Sequence, residues 1–245
     1  MSSVISVASG KGGTGKSTFA VNCGAALAES GRKVLLIDAD AGLRALDLLL
    51  GVSDKVVYDL GDVLAGLCEP VKAIVDTGRA GLFLLPAPQS PPDAAFDTAG
   101  FGRLCKGLAK YYDYVLIDSP AGVDRSVQAA AAAGERAIVV ATPDPVCIRD
   151  ADRAAQMLLA HSVTHLRLVL NRVNPKMIRE GRSMNLDTAI DGASLQLIGV
   201  VPEDAAVAAA AFAGEPLSYR RKGAARAFYN IAGRLEGRDI PLMKL

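Results

Sequence analysis

Between a β-branched run at Val4–Ala8 and a helical pattern that opens at Ser17, the chain reads Gly10-Lys11-Gly12-Gly13-Thr14-Gly15-Lys16-Ser17-Thr18. This satisfies the spacing G-x-x-x-x-G-K-[ST] in the strand–loop–helix setting that the pattern requires. Glycines let the backbone turn tightly and aim successive N–H groups at phosphate oxygens. The following helix sets its positive N-terminal end at the same anion. Lys16 then supplies a point charge between β- and γ-phosphates, and the Ser17 hydroxyl is a Mg²⁺ ligand. A ligand-free glycine turn is the competing reading, and a match this complete in this setting decides against it.

Beyond the loop, short β-branched runs alternate with helical stretches. Val4–Ala8, Lys33–Ile37, Leu82–Leu85, Tyr114–Ile117, Ala137–Ala141, Leu166–Leu170 and Leu197–Val201 read as strands. Several are apolar at consecutive positions, as strands covered on both faces should be. Helices are expected over Ser17–Ser30, Asp59–Leu67, Phe101–Lys110, Ser126–Ala133, Pro145–Ala160 and Asp204–Ala213. This alternation predicts an α/β fold, a doubly wound and mostly parallel sheet with helices on both faces, as one domain over residues 1–245. Pro86-Ala87-Pro88-Gln89-Ser90-Pro91-Pro92 reads as a structured loop.

Composition removes several classes. With 51% hydrophobic and 22% charged residues the chain can bury a full core, which argues against disorder. A net charge of +1 gives no bulk drive toward nucleic acid or an anionic membrane. Cys23, Cys68, Cys105 and Cys147 form no close pair, so they read as buried apolar residues in a reducing compartment. The N-terminus lacks the basic and apolar regions of a secretory signal, and no apolar run approaches a membrane span. His161 and His165 stand four apart without a third ligand nearby and read as surface residues.

Three strand ends carry polar groups. Val34-Leu35-Leu36-Ile37-Asp38-Ala39-Asp40 closes on two carboxylates at the end where open α/β sheets bind ligands. Either can hold Mg²⁺-bound water or orient an attacking one. Tyr114-Val115-Leu116-Ile117-Asp118 is a Walker B pattern, whose carboxylate holds Mg²⁺ through water or the Ser17 hydroxyl. In the Ser119-Pro120-Ala121-Gly122 that follows, the Gly122 N–H can sense the γ-phosphate. Asn171-Arg172 ends a later strand. An amide suits the adenine edge, although the residues alone favour a turn-capping asparagine.

With its second lysine at Lys11, the loop resembles the deviant Walker A form of the MinD/ParA family of P-loop ATPases. The resemblance extends to Asp38-Ala39-Asp40-Ala41-Gly42-Leu43-Arg44-Ala45-Leu46-Asp47, Val56-Val57-Tyr58-Asp59, Leu85-Pro86-Ala87, Asp118-Ser119-Pro120-Ala121-Gly122, Val201-Pro202-Glu203-Asp204 and Gly214-Glu215-Pro216. These stand in the order of the MinD branch, from Val4 to about Pro241. Arg149-Asp150-Ala151-Asp152-Arg153 resembles the start of the family's partner-binding helix.

The resemblance implies ATP and Mg²⁺ as cofactors, with Lys11 crossing to the nucleotide of a facing subunit in an ATP-bound homodimer. It implies that Asp40 serves the hydrolytic water, that Asp38 lies near the metal, and that Asp118–Gly122 is switch II. Asn171 and Arg172 would meet the base, with Pro202, Glu203 and Asp204 closing over it. Expected partners are a MinC-like division inhibitor and a regulator like MinE or the DivIVA system, in the cytoplasm at the inner face of the membrane. The family's basic amphipathic tail would begin about where Arg238–Leu245 stops, which leaves membrane contact open. A DNA-partitioning ATPase is the alternative, for which Arg220, Arg221, Lys222 and Arg226 could touch phosphates. A polar placement scaffold is a third.

Overall fold

A computed structural model describes residues 3–41, 44–89, 98–120, 133–134, 136–217 and 222–243. Eight strands form one sheet in the order β3-β4-β2-β5-β1-β6-β7-β8. They are β1 (Ser3–Ala8), β2 (Val34–Asp38), β3 (Val75–Asp76), β4 (Leu82–Leu85), β5 (Tyr114–Asp118), β6 (Arg136–Ala141), β7 (His165–Val173) and β8 (Leu197–Pro202). Every pairing is parallel except β3 with β4. All seven strands expected from the sequence are present. The eighth, β3, has two residues, too few to carry a periodic signal.

Side-chain alternation divides the core. Val34 and Leu36 of β2 and Ile138 and Val140 of β6 enter one cluster, with Phe19 of α1 (Lys16–Glu29) and Phe228 and Ile231 of α10 (Gly223–Leu235). Phe19 and Phe228 lie with ring centroids 6.2 Å apart. On the opposite face, Leu35 and Ile37 pack against Phe101 and Cys105 of α5 (Thr98–Leu108). Ala137 and Val139 pack against Ile148 and Leu158 of α6 (Pro145–Ala160). Burying each such Leu, Ile or Phe contributes roughly 1.5–3 kcal/mol. Helices thus cover both faces. On α10, Phe228 and Ile231 are buried and Leu235 packs against the same cluster.

Several helices differ from the sequence reading. The stretch expected as Asp59–Leu67 is shorter, with α3 spanning Leu60–Leu64. Asp59 caps it through the amides of Gly61 and Asp62, and Gly66 at φ 73° ends it in the left-handed region. Four short helices lack a sequence signal: α2 (Leu46–Leu49), α4 (Pro70–Ala73), α7 (Pro175–Arg179) and α8 (Leu186–Ala193). Of these α8 buries only Ala189 and Ala193, a stripe too thin to stand out. The expected helix at Ser126–Ala133 lies outside the described residues except for Ala133, as does 90–97 of the proline-rich region.

Helix α9 (Ala205–Ala213) has no buried residue and leaves Phe212 exposed. Asp204 caps its start through the Ala206 amide, and Gly214 at φ 65° closes its end. Gly214 also lies against the backbone of Gly51. Cys23, Cys105 and Cys147 are buried, Cys68 is half-buried, and none is in a disulfide.

Candidate functional site

In the sheet order β1 stands between β5 and β6, and its C-terminal end lies where the chain's winding changes direction. The phosphate loop leaves β1 at that point. Gly13 (φ 80°) and Gly15 (φ 96°) hold backbone conformations that a Cβ would strain. The Ser9 hydroxyl donates to the Lys11 carbonyl at 2.7 Å, tightening the first turn. Close packing fixes the loop from two sides. A Cβ on Gly10 would strike the Asp150 carbonyl of α6, and one on Gly15 would strike the Asn171 amide.

Lys16 is buried at 7% exposure beneath this loop, while Lys11 is exposed on it. Asp118 ends β5 beside the loop, with Asp38 as its register partner on β2. Each is 1% exposed. The Ser17 hydroxyl lies near enough to the Asp118 carboxylate to favour its charged form. Asp118 Oδ1, Thr14 Oγ1 and Ser119 Oγ are buried without a hydrogen-bond partner among the described residues. Orphaned buried oxygens of this kind carry a desolvation cost that a ligand can relieve.

Burial pushes the Asp118 carboxyl up to about 7, reinforced by the Asp38 charge and opposed by Ser17 and Lys16. Asp38 is raised to about 6, again mainly by burial, against hydrogen bonds from the amides of Leu46, Asp40 and Ala45. Those three bonds, each 3.0 Å, fix the backbone that carries Asp40. Asp38 thus shapes the loop as well as flanking Asp118. Arg44 stands at φ 36°, and its guanidinium pairs with Asp47 at 3.0 Å.

A hard divalent cation takes oxygen ligands, and the Ser17 hydroxyl beside the unpartnered Asp118 Oδ1 fits one. The turned glycines, the Thr14 hydroxyl and buried Lys16 fit a phosphate chain. The adenine-side expectations fall on the adjacent edge. Asn171 is buried and donates Nδ2 to the Thr14 carbonyl at 2.8 Å, so it braces the phosphate loop directly. Arg172 is exposed at φ 54°, within the register shift between β7 and β8. Glu203 accepts from Asn174 at 2.8 Å, and Pro202 ends β8. The Asp204 carboxylate is committed to the amides of Ala206 and Ala224, joining α9 to α10.

Gly122, Arg220 and Arg221 lie outside the described residues; Lys222 is exposed. His161 and His165 are exposed, and no group of three potential metal ligands occurs among the described residues.

Sequence reasoning missed Asp144, which caps α6 by accepting the Cys147 amide at 3.0 Å and the Thr142 hydroxyl at 2.6 Å. Burial alone would raise its pKa, but these donors and the charge of Lys11 lower it. Asp-Pro at a strand end, with proline at the first helical position, is the cap signal that could have found it.

Fold and site together define a P-loop nucleotide-binding protein of the doubly wound α/β class. The profile of the CobQ/CobB/MinD/ParA nucleotide binding domain matches residues 5–217, and the chain belongs to that family. It is 42% identical to the septum site-determining protein MinD of Synechocystis sp. over 246 residues, covering 99% of this chain and 92% of that protein. Among solved structures, the MinC:MinD cell division protein complex of Aquifex aeolicus superposes with a TM-score of 0.93 at 36% identity, covering 99% of each chain. MinD of Pyrococcus horikoshii, complexed with Mg-ADP, gives 0.84 at 33% identity, covering 96% of each.

Proposed function

We propose that this chain is a Mg²⁺-dependent ATPase of the MinD type, acting as one domain, which dimerises on ATP binding and recruits a division inhibitor to place the septum. The observation that carries the reading is the buried Asp118 Oδ1, left without a partner beside the Ser17 hydroxyl under a complete phosphate loop. Loop amides and Lys16 would hold the β- and γ-phosphates, with Ser17 and Asp118 holding Mg²⁺. Bound there, the metal would neutralise charge on the transferring phosphoryl group. Asp38 holds the backbone of Asp40 in place, and Asp40 orients the attacking water. Asn171 and Arg172 meet the base, with Pro202–Asp204 beside it.

Exposed Lys11 suits delivery across an interface, where a second cation stabilises developing phosphoryl charge. The MinC:MinD complex, similar over 99% of the chain, supports a MinC-like inhibitor as partner. A MinE-like or DivIVA-system regulator completes the cycle in this reading, at the inner face of the cell membrane. No described helix is long and apolar enough to cross a membrane.

Light scattering with and without ATP and Mg²⁺ tests the proposal. The chain should pass from monomer to dimer with ATP, and Lys11→Ala should remain monomeric and inactive while keeping nucleotide affinity. A Lys11→Ala variant that dimerises and turns over normally overturns the crossing lysine. A wild type that neither binds ATP nor hydrolyses it overturns the whole reading.

A further inference from the structure

At the end of the sheet opposite the phosphate loop, cationic side chains wall a cavity of about 120 Å³. Parallel register sets Arg136 beside His165 and Ile138 beside Arg167, so all four leave one face of the sheet. That face is the one covered by α1 and α10, since Ile138 packs with Phe19 and Phe228. Ile5, the register partner of Arg136 on β1, shares the cavity, and Arg234 of α10 closes it. Further along the same face the strands bury Val140 and Val169. Arginines therefore stand where the apolar stripe would otherwise continue.

None of Arg136, Arg167 and Arg234 forms an ion pair among the described residues. Arg136 donates to the Ser3 hydroxyl at 3.0 Å and Arg167 to the Leu166 carbonyl at 2.9 Å. Arg234 donates to the carbonyls of Ile240, Ile198 and Pro241 at 2.8–2.9 Å. A guanidinium has five N–H groups, so each keeps donors beyond these. Glu236, which follows the cavity-lining Leu235, is bridged by Arg32 and Arg238, each at 2.6 Å. Three guanidinium groups thus line one cavity without an ion-paired carboxylate among the described residues, an arrangement whose mutual repulsion an anion would relieve.

We propose that this cavity binds a phosphate group at a site separate from that of the nucleotide. The forked donors of arginine match a tetrahedral oxyanion in both geometry and charge. The volume admits one phosphate and is well below the roughly 300–1,000 Å³ of sites that enclose a whole small molecule. The group can come from the free anion or from the headgroup of an anionic phospholipid, and the two arms of the test separate these sources.

The chain is first saturated with Mg²⁺ and a non-hydrolysable ATP analogue, so that the γ-phosphate position is filled and inorganic phosphate cannot report through the loop. Calorimetric titration with inorganic phosphate at fixed ionic strength should show binding. The double variant Arg136→Gln/Arg167→Gln should weaken it roughly tenfold or more. ADP affinity equal to wild type shows that the variant is folded and separates this outcome from the fate of the ATPase reading. In the second arm, the chain is sedimented with phosphatidylglycerol or phosphatidylcholine vesicles. Retention on phosphatidylglycerol alone, lost in the variant, assigns the headgroup; phosphate binding without retention assigns the free anion. If wild type binds neither, or the variant matches wild type in both arms, there is no such site.

Discussion

Asn171 donates its side-chain amide to the Thr14 carbonyl at 2.8 Å, tying the end of β7 to the crest of the phosphate loop. Asn171→Ala should cost about 1 kcal/mol of stability for the lost bond. Asn171→Asp should cost more, because it turns a carboxylate oxygen toward that carbonyl. Both should weaken ATP binding, read by titration calorimetry. Wild-type stability and ATP affinity in both variants would show that the donor is not what matters.

The buried carboxylates set a pH dependence. Asp118 ordinarily titrates at 3.8 and in the fold at about 7; Asp38 rises from 3.8 to about 6. Between those values the folded chain binds more protons than the unfolded chain. The contribution of these two carboxylates to the stability of the nucleotide-free protein should therefore be greatest below about pH 4, fall as pH rises to about 7, and level off above. Asp118→Asn should flatten that slope and stabilise the nucleotide-free chain at pH 8, by on the order of 2 kcal/mol, while abolishing the added stability from Mg-nucleotide. A thermal midpoint for Asp118→Asn that does not gain on the wild type between pH 5 and pH 8 would refute the assignment.

Gly10 is the point where the loop docks on α6, against the Asp150 carbonyl. Gly10→Ala should force the two apart, lowering stability by roughly 1–3 kcal/mol and ATP affinity with it. Urea unfolding and nucleotide titration on the same sample read both. Gly13→Ala offers a contrast. No atom lies near its Cβ position, so its cost should come from φ 80° alone.

Asp144 caps α6 and also feels the charge of Lys11. Asp144→Ala should destabilise by about 1 kcal/mol, whereas Asp144→Asn keeps an acceptor for the Cys147 amide and should cost less. Urea midpoints that are the same for both variants would mean that the carboxylate's charge, rather than its capping, is what the fold uses.

Asp40→Ala should close the ATP-bound dimer and hold it there, since closure does not require a positioned water. Light scattering after ATP addition would read a persistent dimer; a rapid return to monomer would remove Asp40 from the hydrolytic step.

Much of this was legible in the residues because the strong signals are local. Gly10–Thr18 announces its own backbone conformation and ligand, and the seven apolar strands announce a sheet covered on both sides. What escaped depends on tertiary partners. The capping role of Asp204 toward Ala224 spans 20 residues and has no pattern. Asn171 presents the same amide whether it reaches a base or a loop carbonyl, and the sequence does not say which. Arg136, Arg167 and Arg234 come from three elements and gather only when the strands find their register.

Helix α9 is fastened at its ends by Asp204 and by the Gly214–Gly51 contact, and between them only the half-buried Ala206, Val207 and Ala210 pack against the core. Hydrogen exchange should find its amides the first to trade deuterium, opening as a unit while the strands beneath stay protected. A nine-residue foldon that opens this readily next to Pro202–Asp204 would loosen that end of β8 without disturbing the rest of the sheet.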